Sequence, residues 1–377
     1  VTTPGGVNAV HYGASDATLS TTQISGWNSS SVGALAAGHL IQLPSMGVGI
    51  SIPVVNSKVT ANGATTAHKA VVGGVVLTDN DLCGIFSGKI TNWNATSAGS
   101  LTLKTKATVA DGPITVIYRS DGSGTSFLLL NHFAAVCTAS NSNFTLPITP
   151  STTFISVFPG GVGPIPSGST TTNFLGESGS SGVANTLANI NASGPINPPV
   201  ITSAISYLSP DFTTVDPNSN ATLADGSKSK LVVAAVKNGT LPYIPTVVDV
   251  TNALNHTKLG TTLTPPTTAV AGAQPQNWVP LVQTTTVGYP IVGYTTFDFA
   301  QCYQNANIKA SVIAFLKLHY STNATYASII NNNGFVALAG TQAKAFAPVI
   351  TANILANTKK WNDDIGDTTA CKGLAGR

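Results

Sequence analysis

Ile114-Thr-Val-Ile-Tyr-Arg-Ser-Asp-Gly-Ser-Gly-Thr-Ser126 is the stretch that decides the fold. The apolar run Ile114–Tyr118 predicts a strand, and Phe127, Leu130, Phe133, Ala134 and Cys137 follow it at helical spacing. A strand therefore ends in Arg119, turns through Gly122 and Gly124, and opens a helix whose first amides stand beside two hydroxyls. Free N–H groups and the positive end of the helix dipole favour an anion there, and a guanidinium offers it a planar fork. Taken singly, each part has an ordinary structural explanation. An arginine ending a strand is usually solvated, and Ser-Gly-Thr is a common helix N-cap. Arg119, Asp121, Ser123, Gly124 and Thr125 together make an anion cradle.

Outward from this unit the same alternation recurs. Val72–Leu77 predicts a strand leading to Thr78 as N-cap, then a helix that buries Leu82, Ile85 and Phe86 and stops near Gly88. Residues 40–53 form one long extended passage. Ile201–Leu208, Lys230–Val236 and Tyr289–Tyr294 have strand character, and a later helix presents Ile308, Val312, Phe315 and Leu316. Strands alternating with helices imply an α/β fold with largely parallel sheets. The Ser-, Thr-, Gly- and Pro-rich span from Ser140 to Pro199 is expected to hold long loops, with another surface excursion over Thr257–Asn277.

Composition narrows the class. Only 8% of the 377 residues are charged, Glu177 is the one glutamate, and 42% are hydrophobic, which argues against disorder. The net charge of +3 comes from scattered Lys and Arg, so no basic stripe marks a nucleic-acid partner. No segment reaches the apolar length of a membrane span. Cys83, Cys137, Cys302 and Cys371 lack zinc-site spacing and read as two disulfides formed in an oxidising compartment. Pairing Cys83 with Cys137 and Cys302 with Cys371 keeps each bridge within one region. Asn-x-Ser/Thr triplets, as at Asn28, Asn94, Asn238 and Asn323, are expected by chance in so Asn- and Thr-rich a chain.

Three segments, the last within the opening stretch, carry a family likeness. His11-Tyr-Gly-Ala-Ser-Asp-Ala-Thr-Leu-Ser20, Cys83-Gly-Ile-Phe-Ser-Gly-Lys-Ile-Thr-Asn-Trp93 and Tyr118-Arg-Ser-Asp-Gly-Ser-Gly-Thr125 resemble the periplasmic phosphate-binding proteins of phosphate ABC transporters. The four cysteines, Ile205-Ser-Tyr-Leu-Ser-Pro-Asp-Phe212 and Gly288-Tyr-Pro-Ile-Val-Gly293 sharpen the likeness to the DING subgroup of that PstS-like superfamily. The resemblance runs from about residue 7 to the C-terminus and is poor in the Ser/Gly-rich middle. It implies a two-lobed periplasmic binding protein fold (type II, Venus-flytrap), with extended crossovers near Ile50–Val54 and Gly288–Val292. Residues 1–53 and 288–377 would form one lobe and residues 54–287 the other. Family members begin with a further segment that carries a Gly-rich ligand loop. Here the sequence opens at Val1-Thr-Thr-Pro-Gly-Gly, so that segment is expected to have been cut away, to travel as a separate piece, or to be absent.

The resemblance also implies the ligand, inorganic phosphate, and the roles around it. Phosphate near neutral pH carries a proton and sulfate carries none, so an acid that accepts that proton separates the two. Asp16 matches the family position with this role, although before a helical run it reads equally as an N-cap. Arg119 would grip two oxygens, Asp121 would hold the guanidinium, and Ser123, Gly124 and Thr125 would donate from the helix tip. No cofactor or metal is implied. Arsenate as a second ligand, an ABC permease as partner, a monomeric state and a periplasmic or secreted location complete the expectation.

The enzyme alternative is a secreted phosphomonoesterase using the same pocket. It would need an activated nucleophile or metals. His11, His39, His68, His132, His256 and His319 form no H-x-H or HExxH cluster. A third class, a secreted adhesive protein, fits the uncharged surface and leaves the Arg119 cluster unexplained.

Overall fold

Among the described residues the longest strand pairing joins Leu40–Gly49 to Val292–Ala300, antiparallel, with a bulge between Thr295 and Thr296. The computed structural model describes residues 10–56, 75–93, 113–161, 173–193, 201, 203–215, 221–222, 228–229, 231–256, 264–279, 281–338 and 343–377. Tyr12–Ser15 and Val336–Ala337 pair antiparallel on either side of that ladder and complete a four-stranded sheet. A second sheet is ordered Val54–Asn56, Ser203–Ile205, Thr115–Arg119, Phe174–Glu177. In it Thr115–Arg119 runs parallel to both neighbours, and Val54–Asn56 is antiparallel at the edge. A third sheet combines Val76–Leu77 and Ala235–Asn238 in parallel with an antiparallel Leu241–Tyr243.

The expectation of largely parallel sheets therefore holds at the centre of the second sheet and fails for the first. Apolar runs buried on both faces, as Leu40–Gly49 is along most of its length, do not reveal the direction of their partners.

Residues 40–53 do form one extended passage that leaves the first sheet and enters the second. Past Gly49 the chain is carried by bridges from Ser51 to Leu208 and from Pro53 to Val233. The returning chain runs beside it: the Ile50 amide donates to the Ile291 carbonyl at 2.9 Å and the Tyr289 hydroxyl to the Ile50 carbonyl at 2.6 Å. Ile50, Ile52, Tyr289 and Ile291 are fully buried around these two crossovers.

The span 140–199 is not all loop. Its described residues contain the strand Phe174–Glu177 and the fifteen-residue helix Gly179–Ser193. Val183, Ala184, Leu187 and Ile190 keep helical spacing inside the Ser/Gly background, and all four are buried against Ile117 and Leu208 in a second core. In the expected excursion 257–277, the described part carries a short helix, Ala269–Gly272, and a 3-10 turn, Pro275–Asn277. The helix Val247–Asn255 lies against the first sheet: a β-carbon on Gly47 would stand 2.4 Å from Leu254, and one on Gly49 would stand 2.6 Å from Val250. The turn Pro275–Asn277 also contacts Leu40–Gly49, and Trp278 just after it packs its ring 6.4 Å from that of Phe346.

Local signals behave as their chemistry dictates. Thr78 caps the helix Asp79–Phe86 through a capping box with Asp81. Both disulfides form as paired above, each with a Cα–Cα distance of 5.5 Å. Cys83–Cys137 ties that helix to the end of Gly124–Val136. Of the sequons, Asn94 lies outside the described residues, and the Asn238 amide is engaged by Thr285 and the Gly288 carbonyl. No helix among the described residues is long and apolar enough to cross a membrane.

Candidate functional site

Parallel pairing of Thr115–Arg119 with Phe174–Glu177 brings Arg119 to the strand ends, opposite Glu177. The chain then turns into the helix Gly124–Val136. Ser123 caps it, its hydroxyl oxygen accepting from the Ser126 amide at 3.3 Å. The Ser123 amide is spent on the Thr152 carbonyl at 2.8 Å, and the hydroxyl hydrogen is left to give. The amides of Gly124 and Thr125 head the helix with no partner among the described residues.

Arg119 is held rather than loose. Its Nε and Nη2 donate to the two oxygens of Asp121 at 2.7 and 2.5 Å, and Nη1 donates to the Ser180 hydroxyl at 2.8 Å. Asp121 also accepts from the Gly179 amide, and these bonds, that of Arg119 foremost, hold its carboxyl far below the usual range. One edge of the guanidinium is therefore committed to Asp121, which leaves the Nη1/Nη2 edge to the cavity. Behind it the buried Tyr207 hydroxyl accepts from the Arg119 amide at 3.1 Å and pairs with Ser126 at 2.7 Å. One phenol thus fixes the strand end to the helix start.

Asp16 approaches from the other lobe, just past the strand Tyr12–Ser15. It is not an N-cap. The helix Thr21–Ser29 is capped by Ser20, which forms a complete capping box with Gln23. Asp16 instead accepts from the Thr125 hydroxyl at 3.4 Å. Its backbone packs on Gly124, where a β-carbon would come within 2.6 Å of the Asp16 amide nitrogen. Burial, and then the negative charge of Asp211, push the Asp16 carboxyl up to about 6, against the opposing pull of Thr125 and Arg119.

These groups share one cavity of about 440 Å³ between the lobes. Ala14, Ser15, Asp16, Ser45, Met46, Thr295, Phe297 and Phe335 line it from the side of the first sheet. Arg119, Gly122, Ser123, Gly124, Thr125, Ser180, Ser209 and Asp211 line it from the other. All five expected ligand positions lie in this lining. Asp121 stands behind Arg119, as expected of a support. Ser123 and Thr125 are only 3% and 4% exposed, so water competes little for their donors.

Sequence reasoning missed Ser180, Ser209 and Asp211. A signal for Ser180 existed: Phe174–Glu177, the turn at Gly179 and the helix after it repeat the strand, glycine turn and helix of the Arg119 unit. Asp211 sits in a segment quoted above only as a family mark. Among the described residues no histidine lines the cavity. His132 bridges Asp79 and the Gln283 carbonyl, and His319 bridges the Ser45 carbonyl and Tyr326. His68 lies outside the described residues.

A model of the PBP superfamily domain matches residues 2–323. The chain belongs to that superfamily. Among its relatives, "Alkaline phosphatase L" of Pseudomonas aeruginosa strain PAO1 is 30% identical over 97% of this chain and 79% of its own length. A "Phosphate-binding protein" of an unknown prokaryotic organism is 30% identical over 97% of this chain and 84% of its own. The solved phosphate-bound structure of PfluDING, a high-affinity periplasmic phosphate-binding protein, superposes with a TM-score of 0.70 at 31% identity, covering 99% of this chain and 86% of that one. The two-lobed architecture seen here is therefore that of phosphate-binding members of the superfamily.

Proposed function

We propose that this chain captures inorganic phosphate in the cavity between its lobes and performs no chemistry on it. The observation that carries the reading is the meeting of Asp16 with Arg119 and the helix tip at Gly124–Thr125, from opposite walls of one cavity. The Nη1/Nη2 edge of Arg119, the first helix amides and the Ser123 hydroxyl supply donors to the oxygens, and the Thr125 hydroxyl, whose one hydrogen goes to Asp16 in the empty site, turns to the anion when Asp16 takes the proton of phosphate. Asp16 accepts the proton that phosphate keeps and sulfate lacks. Arsenate, with the same shape and protonation, is taken as well. The names of its phosphate-binding relatives support the choice of phosphate over other oxyanions. Equilibrium binding of labelled phosphate with sulfate as competitor tests it: saturable binding that sulfate fails to displace is expected, and equal displacement by sulfate overturns it.

The two disulfides suit an oxidising compartment, so we place the protein in the periplasm or outside the cell, acting as a monomer that can deliver phosphate to an ABC permease. The lobes divide near residue 53. On the return, packing of Val247–Asn255 and Pro275–Asn277 on the first sheet favours a division near residue 245 over one at 287.

A second reading rests on the relatives called alkaline phosphatase. The same cavity would admit a phosphate monoester, but among the described residues no imidazole lines it to activate one of its serines. Hydrolysis of a chromogenic ester, with and without chelator, separates an enzyme from a binder.

A further inference from the structure

Asp211 enters the cavity on the 3-10 turn Pro210–Phe212, which the turn at Gly334 closes from the other lobe: a β-carbon there would meet Pro210 at 2.7 Å. Its Oδ1 is buried and takes no hydrogen bond among the described residues. Two carboxyls, Asp16 and Asp211, thus line one cavity from opposite lobes.

The charges around them are few. Asp16 faces Asp211 from the first lobe, and Arg119, backed by Asp121, faces it within its own. Among the described residues, the other elements packed on the turn, the helix Gly179–Ser193, the strand Ala221–Thr222 and the turn at Gly334, bring no charged side chain. Arg119 already shares its charge with Asp121. Hydrogen phosphate dianion arriving between two ionised carboxylates would meet more negative charge than one guanidinium and a helix tip offset. Asp16 can use the one proton this anion brings. Asp211 has none to accept.

We propose that Asp211 is a second, proton-holding acid of the anion site, so that capture of phosphate takes up one proton from solvent, shared between Asp211 and a phosphate oxygen. The balance is simple: the open site with Asp211 ionised, hydrogen phosphate and one proton give the closed complex. Burial raises the Asp211 carboxyl in the same direction even before an anion arrives. The inference rests on the phosphate reading above and assigns a role beyond the single acid that reading uses.

Calorimetric titration of inorganic phosphate into the full chain, at about pH 7.5 in buffers of differing ionisation enthalpy, counts the protons directly. Wild type is expected to take up about one proton per phosphate and to lose affinity about tenfold per pH unit above that pH. In Asp211→Asn, uptake should fall to near zero and the pH profile should flatten. Equal uptake in the two proteins overturns the proposal, as does uptake near zero in the wild type alone, whether or not the variant folds. Failure of wild type to bind phosphate at any pH would instead overturn the phosphate reading itself.

Discussion

The Asp16 backbone lies so close to Gly124 that a β-carbon at residue 124 would stand 2.6 Å from its amide nitrogen and 2.7 Å from its own Cβ. The glycine is therefore where the two lobes touch beside the cavity, as well as the first residue of the anion-facing helix. A methyl at this point meets backbone, which cannot swing away. Gly124→Ala is expected to weaken phosphate binding by at least about fivefold, the low end of overpacking costs of about 1–3 kcal/mol. Thermal unfolding without ligand should change little. Titration calorimetry beside a melting curve checks this, and wild-type affinity in the variant would mean that the lobes need not meet here.

Asp16→Asn removes an acceptor from phosphate and a repulsion from sulfate. The ratio of phosphate to sulfate affinity should fall by more than the phosphate affinity itself. Competition binding reads both, and an unchanged ratio would place discrimination elsewhere.

The same residue controls stability through pH. Burial lifts its carboxyl from 3.8 to about 6 in the folded chain. Between these values the folded protein binds more protons than the unfolded one, so this acid turns against folding as pH rises through them. Without ligand, Asp16→Asn should therefore melt higher than wild type above pH about 6, and the gap should close as the pH falls towards 3.8. A gap independent of pH, followed by scanning calorimetry, would contradict this.

Arg119→Lys keeps the charge and loses the fork. A lysine cannot span both oxygens of Asp121, reach Ser180 and still present two donors. Phosphate affinity should drop by roughly a hundredfold or more, on the order of 3 kcal/mol, the scale of a broken buried ion pair. The far-ultraviolet circular dichroism should stay native, and a Lys variant that binds within a few fold of wild type would shift the grip to the helix tip alone.

Cys83–Cys137 closes a loop with a sequence separation of 54, between one helix and the end of the helix that faces the cavity. Its removal by paired alanine substitution should cost about 2–4 kcal/mol of stability. Because Ser123, Gly124 and Thr125 lie at the opposite end of Gly124–Val136, phosphate affinity at low temperature should be nearly unchanged. Chemical denaturation and binding, measured on the same preparation, test the two halves separately.

How legible was this in the sequence? The Arg119 unit was, because strand, glycine turn and helix are local and each has its own chemical signature. Both disulfides were legible too, from cysteine placement. Asp16 was ambiguous, since an acid ahead of a helix caps as readily as it binds. Only Ser20 and Gln23 closing their own box resolve it. Sheet direction was hidden because burial on both faces erases the alternation that would separate the ladders. Ser180 was hidden by composition: Val183, Leu187 and Ile190 keep a helical stripe, but serine and glycine between them look like loop. Gly124 carries a further constraint that the sequence does not show: its missing side chain makes room for Asp16.

The crossovers Ile50–Ile52 and Tyr289–Ile291 are stitched to each other by the Ile50 amide and the Tyr289 hydroxyl. Both bonds are made by Ile50, so the two straps are tied to each other at one residue and are hindered from sliding past one another. A tie of that kind favours turning, as of a book on its spine, over shearing, and any such turn carries the acid on one page and the guanidinium on the other back to the same cavity.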